Sequence, residues 1–297
     1  DRAFGPGVLD MKGGLALGLF AIAAARALAG GVLPDDLTFI MNSDEETGSA
    51  TSRALIEAEA RAHDLALVLE PGRPGPALTI GRKGVGIFHL VVEGVEAHAG
   101  AEPEKGANAI LALAGLTLAA AALADPARGT TINPGTVAGG SFPYVVPGAA
   151  RLGLDIRVPD LAEQRRIEAG LAALAASSAV PGTRGMLSGG FHRPPMEPTP
   201  GSLAAAAAYR RLAKAEGFPL GLAISGGASD GNLTAAAGTP TLDGLGPHGG
   251  RAHSAEEHVE LPSLFAKTRI LARFLAEGGA PARLIGKRAP TTTALSP

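Results

Sequence analysis

The chain has 297 residues, 46% of them apolar, with a mean hydropathy of +0.20 and a formal net charge of −2. That length and apolar content suffice for a large core in one large or two ordinary domains, and they exclude a disordered chain. The near-neutral charge argues against a nucleic-acid partner, and the absence of cysteine excludes disulfides and thiolate metal sites, so a transition-metal site must use His and carboxylates.

Residues 1–10, DRAFGPGVLD, read as a loop entering a motif. The chain opens at Asp1 without a methionine, so the natural N-terminus is expected further upstream. From Met11 to Ala29 the pattern is helical and ends at Gly30-Gly31. Its stretch LALGLFAIAAARALAG carries Arg and Gly and reads as a buried helix, not a membrane span. Residues 37–42, LTFIMN, read as a buried parallel strand, 49–62 as a helix that Ser49 could cap, and 65–71 as a second buried strand. This β-α-β spacing predicts a right-handed crossover in a parallel sheet. Both strands end in acids, Glu45 and Glu46 after the first and Glu70 at the tip of the second. Ligands of open α/β sheets bind beyond the carboxyl ends of the strands, so three carboxylates are expected at one rim.

Between about 79 and 195 the pattern changes. GVGIFHLVVEGV alternates as a strand, and 104–124 is an Ala-rich helix. TTINPGTVAGG and ARLGLDIRV read as strands around the turn FPYVVPG. A helix begins at Leu161, capped by Asp160, and a weak strand precedes His192. The order β-α-β-β-α-β is that of the ferredoxin-like split unit. It is inserted between 1–79 and 196–285, where the α/β pattern resumes with a helix at 202–217, SGGASDGN, a strand TPTLDGL and a helix at 261–277. Residues 286–297 read as a disordered tail.

Three adjacent acids, Asp44-Glu45-Glu46, repel one another. By themselves they read as a solvated turn before a helix, and Asp10 as a helix cap. His248, His253 and His258 share one loop, which makes metal ligation plausible without naming the ligand. SGGASDGN lacks the lysine of a phosphate loop, so nucleotide binding is not expected. Ser229-Asp230 reads as a helix cap near a substrate pocket.

DMKGG, DEETGS, LEPG, HAG, SGGASDGN and GGRAHSAEE occur in the order of the motifs of the M20 di-zinc metallopeptidases, and the chain resembles that family from Phe4 to about Ala276, its glutamate carboxypeptidase branch most of all. The resemblance implies a parallel-sheet zinc-peptidase catalytic domain, with an inserted ferredoxin-like α+β lid that makes a homodimer. It implies two zinc ions per active site, with cobalt an alternative. Asp10 would bridge them, Glu46 and His253 would ligate one, and Glu70 the other. Glu45 would be the general base, and His98, in HAG, would reach the partner's active site. It also implies a cis Asp10–Met11 peptide.

Zinc charge would then offset the repulsion between Glu45 and Glu46. By the same resemblance, bound zinc would lower the pKa of a water, and Glu45 would take its proton and hand it to the leaving amine. The expected reaction is hydrolysis of an amide next to a free carboxylate, as in a C-terminal glutamate. The alternatives are an N-acyl-amino-acid or small-dipeptide deacylase, or a non-catalytic chain that keeps the dimerisation module. A cytoplasmic location is expected, with a small peptide or N-acyl amino acid as substrate and no nucleic-acid or membrane partner.

Three departures stand out. The family's H-x-D motif is absent, which leaves one metal site with three ligands and the other with Asp10 and Glu70. Ile224 stands where the carboxypeptidase branch has an arginine, with Arg157, Arg193 and Arg251 as candidate replacements. Tyr144 stands where the family often has asparagine. Asn108 is a candidate supporting residue on the lid helix, and His63, His89 and His192 read as surface or structural residues.

Overall fold

A computed structural model describes residues 1–33, 36–73, 75–177 and 180–278. The chain forms two compact units. The first comprises Asp1–Arg82, Met196–Ser225 and the chain from Ser229 onward; the second comprises Lys83–Pro195 with Gly226–Ala228. The segment expected to be a disordered tail lies outside the described residues.

In the first unit, Ala66–Leu67 pairs in parallel with Thr241–Leu242, and Ala77–Arg82 in parallel with Gly221–Ser225. Thr79 and Asp243 exchange backbone hydrogen bonds in antiparallel fashion and join the two pairs. The sheet is therefore mixed, not purely parallel, and Gly221–Ser225 is a strand beyond those expected from the sequence. Helices Gly13–Leu28, Pro200–Ala215 and Leu261–Ala276 cover it. Leu17, Ala21, Leu69, Leu78, Tyr209 and Phe274 fill the core between these elements. Each large side chain buried there contributes about 1.5–3 kcal/mol.

Two expectations fail in this unit. Residues 37–42 form no ladder among the described residues, so the expected crossover is not made. A cavity of about 980 Å³, lined by Leu15, Phe39, Leu67 and Phe274 among others, separates this run from 65–69. A strand exists only where a neighbour's N–H and C=O groups are within reach. Residues 2–4, read as loop, are a strand. Arg2–Phe4 pairs antiparallel with His258–Glu260, which pairs in turn with Gly249–Gly250.

The stretch Val8–Leu28 is long and apolar enough to cross a membrane by length and composition. Its Leu17, Ala21 and Ala25 are nevertheless core residues of this unit, as expected for a buried helix.

In the second unit, Thr131–Gly139, Ala149–Val158, Gly84–Glu93 and Arg184–Arg193 form an antiparallel sheet in that spatial order. With helices Ala109–Ala121 and Leu161–Ala176 the chain order is β-α-β-β-α-β, and the two central strands are the first and third in sequence. Alternation puts Phe88, Leu90 and Val92 of one strand, and Leu152, Leu154 and Ile156 of its neighbour, on the face that both helices cover. The Asp160 carboxylate accepts the Glu163 N–H at 2.8 Å and caps the second helix. Asn108 caps the first by accepting the Leu111 N–H at 3.0 Å. The weak strand expected before His192 is the ten-residue strand Arg184–Arg193, which runs through His192.

Candidate metal centre

Asp10 lies in the Val8–Lys12 turn, just before the helix Gly13–Leu28, and does not cap that helix. Its backbone is extended, and the Asp10–Met11 peptide is cis, as the motif implies. Two glycines explain why the turn sits where it does. A Cβ on Gly14 would strike the Leu69 carbonyl, and one on Gly246 the carbonyls of Leu69 and Glu70. Both flanking segments can therefore press on the strand end that presents Glu70.

The turn is clamped from across the chain by Glu257, which is buried. Its Oε1 accepts the N–H groups of Leu9 at 2.8 Å and Asp10 at 2.9 Å, and its Oε2 that of Gly7 at 2.9 Å. Burial opposes the charged form of Glu257. The amides outweigh it and hold the carboxyl below its ordinary pKa.

The acidic triplet divides its labour. Asp44 accepts from the backbone N–H and hydroxyl of both Thr51 and Ser52, and these bonds push its pKa far down. It shapes the loop. Ser49 does not cap the following helix, which runs over Arg53–Ala62. Its hydroxyl donates instead to Asp230, which also accepts from Asn42 at 2.8 Å. The DEE loop is thus tied to the SD motif 181 residues away. Ser229 accepts the Gly231 N–H at the start of the Gly231–Ala236 helix, whereas the Asp230 side chain makes no cap.

Asp10, Glu46 and His253 each offer one ligand atom, and these atoms lie within 4.8 Å of one another. His253 Nε2 is 3.1 Å from Asp10 Oδ2 and 3.5 Å from Glu46 Oε1. The Asp10 hydrogen bond, with the Glu46 charge behind it, raises the His253 pKa. His253 has a φ of +63° and Arg251 of +61°, a region that non-glycine residues seldom use, so the loop is bent to deliver the imidazole.

Glu70 lies deeper. Burial, and then the negative charges of Asp243, Glu45 and Asp10, push its pKa up to about 9, with the Arg82 guanidinium giving partial relief. Acids drawn together until one holds its proton at neutral pH are a donor set that lacks positive charge. A divalent cation fits it. The four ligand candidates and Glu45 all belong to the first unit.

Sequence comparison places the chain. The profile of peptidase family M20/M25/M40 matches residues 1–277. The chain belongs to peptidase family M20/M25/M40. That family places it among hydrolytic enzymes. The chain is 30% identical to carboxypeptidase G2 of Pseudomonas sp. (strain RS-16), over 94% of this chain and 68% of that protein. It is 31% identical to succinyl-diaminopimelate desuccinylase of Gluconacetobacter diazotrophicus, over 92% and 72%. With a desuccinylase of Rhodopseudomonas palustris the match spans 54% of this chain and 44% of the relative. Among solved structures, aminopeptidase PepT from Bacillus cereus superposes with a TM-score of 0.73 at 22% identity, covering 90% of this chain and 70% of that one. A tripeptidase from Staphylococcus aureus gives 0.69 at 19%, covering 93% and 74%. These two show the α/β fold shared with M20 peptidases.

Other residues singled out in the sequence lie outside the Asp10–Glu46–His253 group. His248 is buried beside Phe218, its pKa lowered to about 4 by burial and by the Lys267 charge, and it stands outside the Asp10–Glu46–His253 group. The His63 ring bonds the Glu59 carbonyl and the Thr38 hydroxyl. His98 lies exposed in the second unit, where its Nδ1 accepts the N–H groups of Gly100 at 3.2 Å and Ala101 at 3.1 Å. That fixes the proton on Nε2 in the neutral ring. Tyr144 stacks on Phe142 in the same unit. Glu257 and the buried Arg82–Asp243 pair are not among the residues that the sequence singles out. The second acid of SAEEH was the one available signal for Glu257.

Proposed function

We propose that this chain is a zinc-dependent hydrolase of amide bonds flanked by a carboxylate, of the carboxypeptidase kind. The observation that carries the reading is the convergence of Asp10, Glu46 and His253 within 4.8 Å, beside a Glu70 that needs a cation to ionise. Asp10, Glu46 and His253 would hold one zinc, and Asp10 and Glu70 would contribute to a second. When bound, zinc supplies Lewis acidity toward a carbonyl and a nearby water.

The remaining work falls to the chain. Glu45 shares the loop of Glu46 without belonging to the ligand triad, so its carboxylate can take a proton from water and return it to the leaving nitrogen. Asp44 and Glu257 hold the two loops that carry these groups. His98, with its proton on Nε2, is assigned to stabilising the oxyanion in a partner subunit.

The second unit is assigned as lid and dimerisation module. In support, its edge strand Thr131–Gly139 is almost wholly exposed, and Ile110, Leu111, Leu118 and Val137 lie bare on this unit. A free edge of that length invites pairing with another copy. Cytoplasmic residence belongs to the same reading.

The matched desuccinylases favour a second reading, in which the chain deacylates N-acyl amino acids. The test is a panel of C-terminal glutamyl amides, N-acyl amino acids and dipeptides offered to the zinc-loaded protein. Release of a free amine that stops with chelator and returns with zinc is expected. No turnover of any member, with zinc bound, would refute the proposal.

A further inference from the structure

The three arginines offered as replacements at position 224 are otherwise engaged. Arg157 makes a two-point contact with Asp155 at 2.9 and 3.1 Å. Arg251 pairs with Glu256 at 3.0 Å. Arg193 is 3% exposed and has its own partners.

A fourth arginine stands three residues beyond Glu70. Arg73 is half-buried, and its Nη1 donates to the Ser225 hydroxyl at 3.1 Å. Ser225 opens the Gly-rich SD motif and lies next to Ile224. The Arg82 Nη1 reaches the same hydroxyl at 3.5 Å, so two guanidinium groups meet there. Their ion pairing differs. Arg82 is neutralised by Asp243, from Nε to Oδ2 at 2.6 Å and from Nη2 to Oδ1 at 3.0 Å. Arg73 forms no ion pair among the described residues, and the hydroxyl engages only one of its five N–H donors.

From these observations we infer that Arg73, steadied by Ser225, is the group that binds a substrate carboxylate next to the scissile amide. This rests on the hydrolase reading and deepens it. In that reading zinc is engaged by Asp10, Glu46, Glu70 and His253, so a substrate carboxylate needs a cation of its own. A guanidinium is the side chain that grips a carboxylate with two parallel bonds. The reach fits. Three residues span at most about 11 Å, which one substrate residue and an extended arginine side chain can bridge from Glu70. Ile224 has no charge to contribute, so the role passes from one end of the SD motif's strand to the loop beside it.

The carboxylate has two sources, the α-carboxylate of the released amino acid or a side-chain carboxylate. N-acetyl-L-glutamate carries both, N-acetyl-L-glutamine only the first and N-acetyl-L-isoglutamine only the second. Hydrolysis of each is measured as kcat and KM, and binding of each by calorimetry, on the zinc-loaded protein and on Arg73→Met and Arg73→Lys.

In Arg73→Met, kcat/KM and affinity for the recognised carboxylate should fall by about 30-fold or more, through KM, and the preference over the compound lacking it should collapse. Arg73→Lys should recover part of both, and zinc content should hold. Which of the two single-carboxylate compounds loses affinity names the source. An unchanged preference in Arg73→Met, or equal losses for all three compounds, overturns the inference. If no compound is turned over by the unsubstituted protein, the hydrolase reading fails, and the binding arm alone still decides for or against Arg73.

Discussion

Replacing Glu257 by glutamine keeps the side chain's shape and removes the charge that three backbone amides share. A glutamine oxygen placed at Oε1 can still accept from Leu9 and Asp10. Its NH2 group then faces the Gly7 N–H, donor against donor, where Oε2 had accepted at 2.9 Å. One charge-assisted bond is lost and two become neutral ones. A bond to a charged group contributes about 1.5–3 kcal/mol and a neutral one about 1, so losing one and weakening two should cost about 2.5–7 kcal/mol.

Chemical unfolding in urea reads this as a lower midpoint at an unchanged slope. The pH dependence supplies a second check. The folded-state pKa of Glu257 lies below its ordinary value of 4.5, so its contribution is complete above that value and is lost as pH falls through the folded one. The variant should lose that part of the acid sensitivity. Because the clamp also aims Asp10, zinc affinity should drop with it. Equal stability of variant and parent at pH 7, with identical acid profiles, would refute the assignment of Glu257 as the clamp.

Glu45→Gln should abolish turnover with zinc content nearly intact, whereas Glu46→Ala should lose zinc; equal metal loss in both would remove the division between base and ligand. Zinc binding should release protons at neutral pH, because His253 is raised toward its charged form and Glu70, at about 9, is protonated without a cation. Calorimetry in buffers of different ionisation enthalpy measures the release, and affinity should weaken as pH falls. Arg82→Met should cost about 3–5 kcal/mol by stranding the buried Asp243 carboxylate, while Arg82→Met with Asp243→Asn should cost clearly less. A thermal-melt cycle over the two positions tests the coupling.

Much of the site was legible in the sequence because its chemistry is local. DMKGG, DEE and the His253 loop each carry one candidate ligand on a short segment, LEP carries Glu70, and the resemblance singled out Asp10, Glu46 and His253, which the fold brings within 4.8 Å. The second unit was legible for a similar reason. Alternation in Gly84–Glu93 and the cap Asp160 are set within a few residues. Tertiary structure decided the rest. Residues 37–42 have the composition of a strand, but their neighbour across the sheet is a cavity. Arg2–Phe4 looks like loop and becomes a strand because His258–Glu260 lies beside it. Glu257, Arg73 and Asp230 act through partners 247, 152 and 188 residues away. Propensity and periodicity act over one or two turns of chain, whereas these partners are chosen by where the packed elements come to rest.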